Sequence, residues 1–214
     1  MITLLDLAHI ANHIYFANPA DPEARKSNQG KRFKRLADAA VMEHSTGFQG
    51  AIYEAGDQWV VAYRGTEDWE DIKADLNIGV GNVPDQFFPA LNLFKRADAT
   101  KSLDKIIVTG HSLGGGLAQL VSAHTVALGV TFNAPGVDSM AKKLSGKGYD
   151  FHSANVLNVV LKWDPVSSFG DLVGKKLRLS NSDLFGAHYQ ATMIDKVGKS
   201  AYANRQPADI LKSL

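Results

Sequence analysis

No cysteine occurs among the 214 residues, which removes disulfides, zinc–thiolate sites and a cysteine nucleophile together and leaves the redox compartment open. Charge of one sign is also missing. With 23 Lys and Arg against 22 Asp and Glu, a formal +1, the overall balance makes no electrostatic case for a nucleic-acid partner. Apolar runs are short, and none approaches the roughly 20 residues a membrane-spanning helix needs. The opening stretch Met1-Ile2-Thr3-Leu4-Leu5-Asp6-Leu7 has no basic segment and carries an acid, so it does not read as a signal peptide. Cytoplasmic location is the default expectation, with signal-independent export as the alternative. No internal repeat or low-complexity tract interrupts the chain, and its 45% hydrophobic content suffices for one core, so a single domain over residues 1–214 is expected.

What is present begins with Leu4, Leu7, Ala8, Ala11 and Tyr15, a helical spacing that predicts an amphipathic helix over roughly the first sixteen residues. His9 and His13 fall on its opposite face, where they read as solvated; an i,i+4 histidine pair also suits a metal, but no third ligand stands nearby. Residues 18–35 are polar and interrupted by Pro19, Pro22 and Gly30. Their cluster of Arg25, Lys26, Lys31, Arg32, Lys34 and Arg35 reads as a solvated face, with anionic lipid headgroups as the alternative partner. A short helix is expected over 36–43.

Residues 48–54 and 59–63 read as a β-hairpin, and 105–109, 130–133, 156–161 and 177–179 as further short strands. Between the first two of these, Leu117, Leu120, Val121, His124 and Leu128 share a helical face, with Gly129 as the expected stop. Strand, helix, strand implies a right-handed parallel crossover, hence an α/β fold with a mixed, mainly parallel sheet and helices on both faces.

Gly110-His111-Ser112-Leu113-Gly114 sits where that crossover begins. A G-x-S-x-G match has meaning between a strand and a helix, where a strained turn lifts the serine hydroxyl above the sheet. The first N–H groups of the helix have no intrahelical partner, so the N–H of Leu113 is available to an oxyanion. A serine needs an imidazole as general base and a carboxylate to orient it, in the chain order Ser, acid, His. After Ser112 come His124, His152 and His188. His124 reads as a core residue in mid-helix and His152 precedes the best acid, which leaves His188 as the base and His152 as runner-up. Asp164 follows the run 156–161 where a strand end feeds a loop, the place where open sheets gather their sites. Asp138 is the alternative acid and reads better as a helix cap; Asp171 and Asp183 read as solvated loop acids.

The combination of Val60-Val61-Ala62-Tyr63-Arg64-Gly65-Thr66, then Trp69, Asp71-Ile72 and Asp75-Leu76, then Gly110-His111-Ser112-Leu113-Gly114-Gly115, Phe132-Asn133-Ala134-Pro135, Asn158 before Asp164-Pro165-Val166, and His188-Tyr189 resembles the class 3 lipases, the fungal triacylglycerol lipase group and its bacterial relatives. The similarity covers roughly residues 45–190. It implies an α/β-hydrolase-like fold and an ester hydrolase in which Thr66 and the Leu113 N–H form the oxyanion hole. It also implies that Arg64 is a structural ion-pair partner of Asp71 or Asp75. The chain lacks the disulfides of secreted fungal members, and 69–76 leaves little room for a long lid.

The expected activity is hydrolysis of a lipid or phospholipid ester through Ser112, His188 and Asp164, with no metal or organic cofactor. Acylglycerol lipase and phospholipase A1 or lysophospholipase both stay open; an acyltransferase or peptidase on the same fold, or a non-catalytic binding protein, are the readings from other classes. Phe87 and Phe88, within an apolar stretch without helical spacing throughout, are the candidates for substrate binding or peripheral membrane contact, against packing in the core.

Overall fold

The structure is a computed structural model that describes residues 1–16, 31–36, 40–65, 84–148, 150–152, 155–183 and 186–214. Helix α1 (Leu4–His13) starts at a capping box: the Thr3 hydroxyl accepts from the Asp6 N–H at 3.2 Å while the Asp6 carboxylate accepts from the Thr3 N–H at 3.0 Å. This satisfies two backbone donors at once. Three antiparallel pairings follow. Strand β3 (Phe48–Ala55) takes β1 (Lys34–Arg35) and β2 (Val41–Glu43) along one side and pairs with β4 (Gln58–Tyr63) on the other. The hairpin from β3 to β4 turns on Gly56, whose φ of 66° lies in the left-handed region that glycine enters without strain.

From β4 onward every pairing is parallel: β5 (Ile106–His111), β6 (Leu128–Phe132), β7 (Val156–Leu161) and β8 (Lys175–Leu179). All residues of β5 and β7 are buried, as parallel strands covered on both faces must be. One face packs on α1, α5 (Gln190–Gly198) and α6 (Pro207–Ser213), with Leu7, Ile10, Ile107, Phe132, Val159, Met193 and Ile210 in a single cluster. The other packs on α2 (Phe87–Asp98), α3 (Leu113–Thr125) and α4 (Asp138–Ser145), through Phe87, Leu93, Val61, Val108, Leu117, Leu120 and Leu144. The mixed, mainly parallel sheet and the two helical layers agree with the fold class expected from the sequence.

Several local expectations are corrected. Residues 41–43 form strand β2, not part of a helix over 36–43; the Leu36 N–H likewise joins the sheet, donating to the Ile52 carbonyl. Helix α2 runs through the stretch thought to lack helical spacing, because Pro89 occupies its first turn, where a missing N–H costs nothing. His13 is buried, its Nδ1 3.0 Å from the Tyr53 hydroxyl and its ring edge-on to Phe16 and Phe33, because α1 also buries Ile10, with Ile14 buried just past its end, and so has a wider covered face than a single stripe. Arg35 is buried as well and donates to the Phe16 carbonyl at 2.8 Å, while Arg32 pairs with Asp6. The described part of the basic cluster is thus partly spent inside the protein; Arg25 and Lys26 lie outside the described residues.

Helix α3 ends four residues before Gly129, at Thr125, and Val126 follows in the left-handed conformation at φ 55°. Gly129 belongs to β6 instead, where a Cβ would come within 2.9 Å of the Ser122 side chain. A β-branched residue is costly in that backbone region, by about 1–2 kcal/mol, and Val126 is 38% exposed, so its side chain contributes little packing in return. Val126→Asn is therefore expected to stabilise the fold by about 1 kcal/mol, measured as a raised urea midpoint at unchanged slope. An unchanged or lowered midpoint would show that packing of the valine outweighs its backbone strain.

Candidate active site

The parallel strands β4 to β8 all end on one side of the sheet, and the segment after each end contributes to a single site. Gly65 follows β4, Ser112 follows β5, Asn133 follows β6, Asp164 follows β7 and His188 follows β8. Ser112 adopts φ 55° and ψ −132°, a strained conformation for a residue with a Cβ. It is held by its own N–H, which donates to the Phe132 carbonyl at 3.0 Å, and by its carbonyl, which accepts from the N–H groups of Gly115 and Gly116. The turn is feasible because of two glycines. A Cβ on Gly110 would lie 2.4 Å from the Gly114 carbonyl carbon, and one on Gly114 would lie 2.2 Å from the Tyr63 carbonyl oxygen.

Three polar side chains converge. The Ser112 hydroxyl is 2.9 Å from His188 Nε2, and His188 Nδ1 is 2.6 Å from Asp164 Oδ1. A carboxylate can only accept, so Nδ1 carries the proton and Nε2 is left as the acceptor for the serine O–H. The second Asp164 oxygen accepts from the Ser167 N–H at 2.7 Å. Asp164 is buried, and this pair of donors is what makes a buried carboxylate tolerable. Behind His188 lies His111, its ring centroid 4.7 Å away and tilted by 38°. His111 is buried, and burial together with the nearby His188 holds its pKa well below the ordinary histidine value, against a smaller opposite pull from the His188 backbone.

The remaining candidates fall into place around this chain. Leu113 is the first residue of α3, so its N–H has no intrahelical acceptor and sits beside the serine. Thr66 lies outside the described residues, as do Trp69, Asp71 and Asp75. Gly65 does not: a Cβ there would meet the His111 carbonyl at 2.7 Å and the Gly114 nitrogen at 3.0 Å, so Gly65 packs directly against the elbow. Arg64 donates to Gln49 Oε1 at 2.5 Å and lies 5.5 Å over the Tyr15 ring. His152 is exposed, and His124 is half-buried instead of core, with Nδ1 bonded to the Asp150 carbonyl and its ring against Phe87 and Phe151. Asp138 is the first residue of α4, after Val137 at the cap, and pairs with Lys142 at 2.6 Å.

Phe87 and Phe88 do not form one surface. Phe87 is fully buried in the core cluster of α2 and α3, whereas Phe88 is 49% exposed; adjacent helical positions diverge by about 100°. Three exposed aromatics occur instead next to the acid and the base: Trp163 directly before Asp164, Phe169 five residues after it, and Tyr189 directly after His188. Sequence reasoning missed these, together with His111, Ser167 and Asn133. The signals were adjacency to the chosen acid and base, and, for His111, the position directly before the serine in the pentapeptide.

Residues 6–211 match the family described as "Phospholipase-like: Tle-like phospholipase domain". The extracellular phospholipase A1 of Serratia liquefaciens is 31% identical over 173 residues, which are 71% of this chain and 54% of that protein, so the chain spans about half the length of the curated relative it matches. Among solved structures, a Rhizomucor miehei lipase–propeptide complex superposes with a TM-score of 0.58 at 14% identity, over 82% of this chain and 65% of that one. The Lip2 lipase of Yarrowia lipolytica gives 0.53 at 17% identity over 82% and 76% of the two chains. A triacylglycerol lipase of Penicillium expansum gives 0.53 at 18% over 82% and 77%. At these identities the superpositions establish a lipase-like α/β-hydrolase fold, and the match over nearly the whole sequence establishes that the chain belongs to the Tle-like phospholipase domain family.

Proposed function

We propose that this chain hydrolyses carboxylic esters of phospholipids through an acyl-enzyme on Ser112. The observation that carries this reading is the unbroken hydrogen-bonded line from the Ser112 hydroxyl through the His188 imidazole to the buried Asp164 carboxylate, starting from a serine in a strained turn at a helix N-terminus. In the forward step Ser112 Oγ attacks the ester carbonyl carbon and its proton passes to His188 Nε2. Asp164 holds the tautomer that accepts it and stabilises the imidazolium that results. The tetrahedral oxyanion is stabilised by the Leu113 N–H and by Thr66. Collapse breaks the bond to the alcohol, which leaves with the proton from His188; water, deprotonated by His188, then releases the fatty acid. The neutral His111 beside His188 keeps a second positive charge away from the imidazolium.

The preference for a phospholipid over a triacylglycerol rests on the family matched and on the Serratia relative, whose name describes a phospholipase A1. Incubation with a phospholipid bearing different acyl chains at its two positions, and separately with triolein, tests it. Release of fatty acid from triolein alone would make the protein an acylglycerol lipase. Contact with the lipid surface falls to the exposed aromatics beside the relay: Trp163 is 54% and Tyr189 70% exposed, and Lys162 Nζ sits 4.7 Å above the Trp163 ring. Tryptophan and tyrosine with a neighbouring cation suit the boundary between headgroups and acyl chains.

Ser112→Ala is expected to abolish both ester hydrolysis and fluorophosphonate labelling without unfolding the protein, and Asp164→Asn to lower kcat by about 10⁴. Turnover or labelling that survives Ser112→Ala refutes the covalent route.

Trp163→Asn combined with Tyr189→Ser should reduce hydrolysis of phospholipid vesicles by about tenfold while a soluble short-chain ester is turned over normally. Equal losses on both substrates would place these rings in the chemistry and not at the lipid surface.

The buried His111 predicts an acid limb in stability. Its pKa is lowered from 6.5 in the fold, so below that pH the unfolded chain takes up a proton the folded one refuses. The stabilisation is therefore full above 6.5 and falls by up to about 1.4 kcal/mol per pH unit below it. His111→Phe should flatten the decline of Tm between about pH 6.5 and pH 5, leaving a residual slope from His9 and His124, whose pKa values are also lowered by burial. An identical Tm profile in the variant would mean that His111 is protonated in the native state.

A further inference from the structure

Asn133 lies immediately beyond β6 and has no assigned role in the chemistry above, yet it touches the loops of both the acid and the base. Its Nδ2 donates to the Ala187 carbonyl at 2.7 Å, one residue before His188. Its Oδ1 accepts from the Leu161 N–H at 2.9 Å, three residues before Asp164. Its backbone N–H donates to the Val159 carbonyl at 2.9 Å. The residue before it, Phe132, accepts the Ser112 N–H, so one dipeptide is bonded to the segments that carry all three members of the relay. Asn133 has no exposed surface and adopts φ 45°.

That combination narrows the choice of residue. Outside glycine, asparagine is among the side chains that best tolerate a left-handed backbone. A planar amide also offers one acceptor and one donor pointing apart, which lets a single group bridge an N–H on one loop and a carbonyl on another. Glycine would satisfy the backbone and make neither bond. Aspartate would accept from Leu161 and turn a negative oxygen towards the Ala187 carbonyl.

We infer that Asn133 is a positioning residue that sets the distance between the His188 and Asp164 loops and so keeps the base and acid of the relay in register. This rests on the reading of Ser112, His188 and Asp164 as the catalytic relay. Without the amide the two loops are held by the Asn181 side chain, which donates to the Lys162 and Asp183 carbonyls at 3.4 and 2.6 Å, and by the 2.6 Å His188–Asp164 contact itself, which then takes up part of the positioning as well as orienting the imidazole. Misplacement of a catalytic group by about 1 Å typically costs up to 10²-fold in rate.

The test is a double-mutant cycle on a soluble short-chain ester, with kcat and KM measured separately. Asn133→Gly keeps the left-handed turn and is expected to lower kcat by about 10- to 100-fold with KM within about twofold. In an Asp164→Asn background, where the acid–base contact is already impaired, the same substitution should cost less than about threefold, because two changes acting through one contact are not additive. Asn133→Asp, which keeps the bond from Leu161 and replaces the one to Ala187 with a repulsion between oxygens, gives the same reading should the glycine variant not fold, with a kcat loss at constant KM expected. An unchanged kcat, or a full and additive loss in the Asp164→Asn background, overturns the positioning role and leaves Asn133 as a purely structural bridge. Parent-like kcat in Asp164→Asn alone overturns instead the relay reading on which the inference rests.

Discussion

The approach of Gly114 to the carbonyl of Tyr63 is the constraint on which the site depends. Helix α3 can begin directly above the sheet only because the chain at Gly110 and Gly114 has no side chain to keep β5, the helix and the end of β4 apart. Once that contact is made, Ser112 has nowhere to go but a positive-φ turn, its hydroxyl faces the loops after β7 and β8, and the free N–H groups of the helix start lie beside it. The parallel order of β4 to β8 then does the rest, by delivering every following loop to the same end of the sheet.

Burial sets the electrostatics of what is delivered there. Asp164 is a carboxylate shut away from water whose oxygens accept from His188 and from the Ser167 N–H, and His111 is an imidazole shut away from water and kept neutral. In the mechanism proposed above the two are complementary: a negative group on the far side of His188 and an uncharged one against its face both suit the imidazolium that forms when a proton arrives from serine. Buried side-chain amides act as stitching in the same region. Gln119 on α3 donates to the Pro135 carbonyl and accepts from the Val173 N–H, Asn158 on β7 donates to the Val173 carbonyl, and Asn133 joins the two loops of the relay.

Much of this was legible in the sequence because the signals are local. The serine pentapeptide between a strand and a helix, the apolar run before Asp164 and the chain order of the histidines are each readable within a short window. The residues that complete the geometry are not. Asn133 owes its importance to Leu161 and Ala187, which lie 28 and 54 residues away, and no spacing rule links them. His13 and Arg35 were misjudged for a related reason: a polar residue in an amphipathic pattern looks solvated until a distant Tyr53 or Phe16 covers it. Pro89 hid α2 because proline breaks helices in the middle and opens them at the first turn, and the sequence does not say which.

The contact from Ser112 to His188 closes 76 residues of chain, and the bonds from Asn133 to Ala187 and from Gln119 to Val173 each close 54. Contacts of such span carry a larger loop-closure entropy than the hairpin from β3 to β4 does. The contact of Ser112 with His188 therefore depends on the placement of everything between them, since β6, α4, β7 and β8 all lie within the 76 residues it closes.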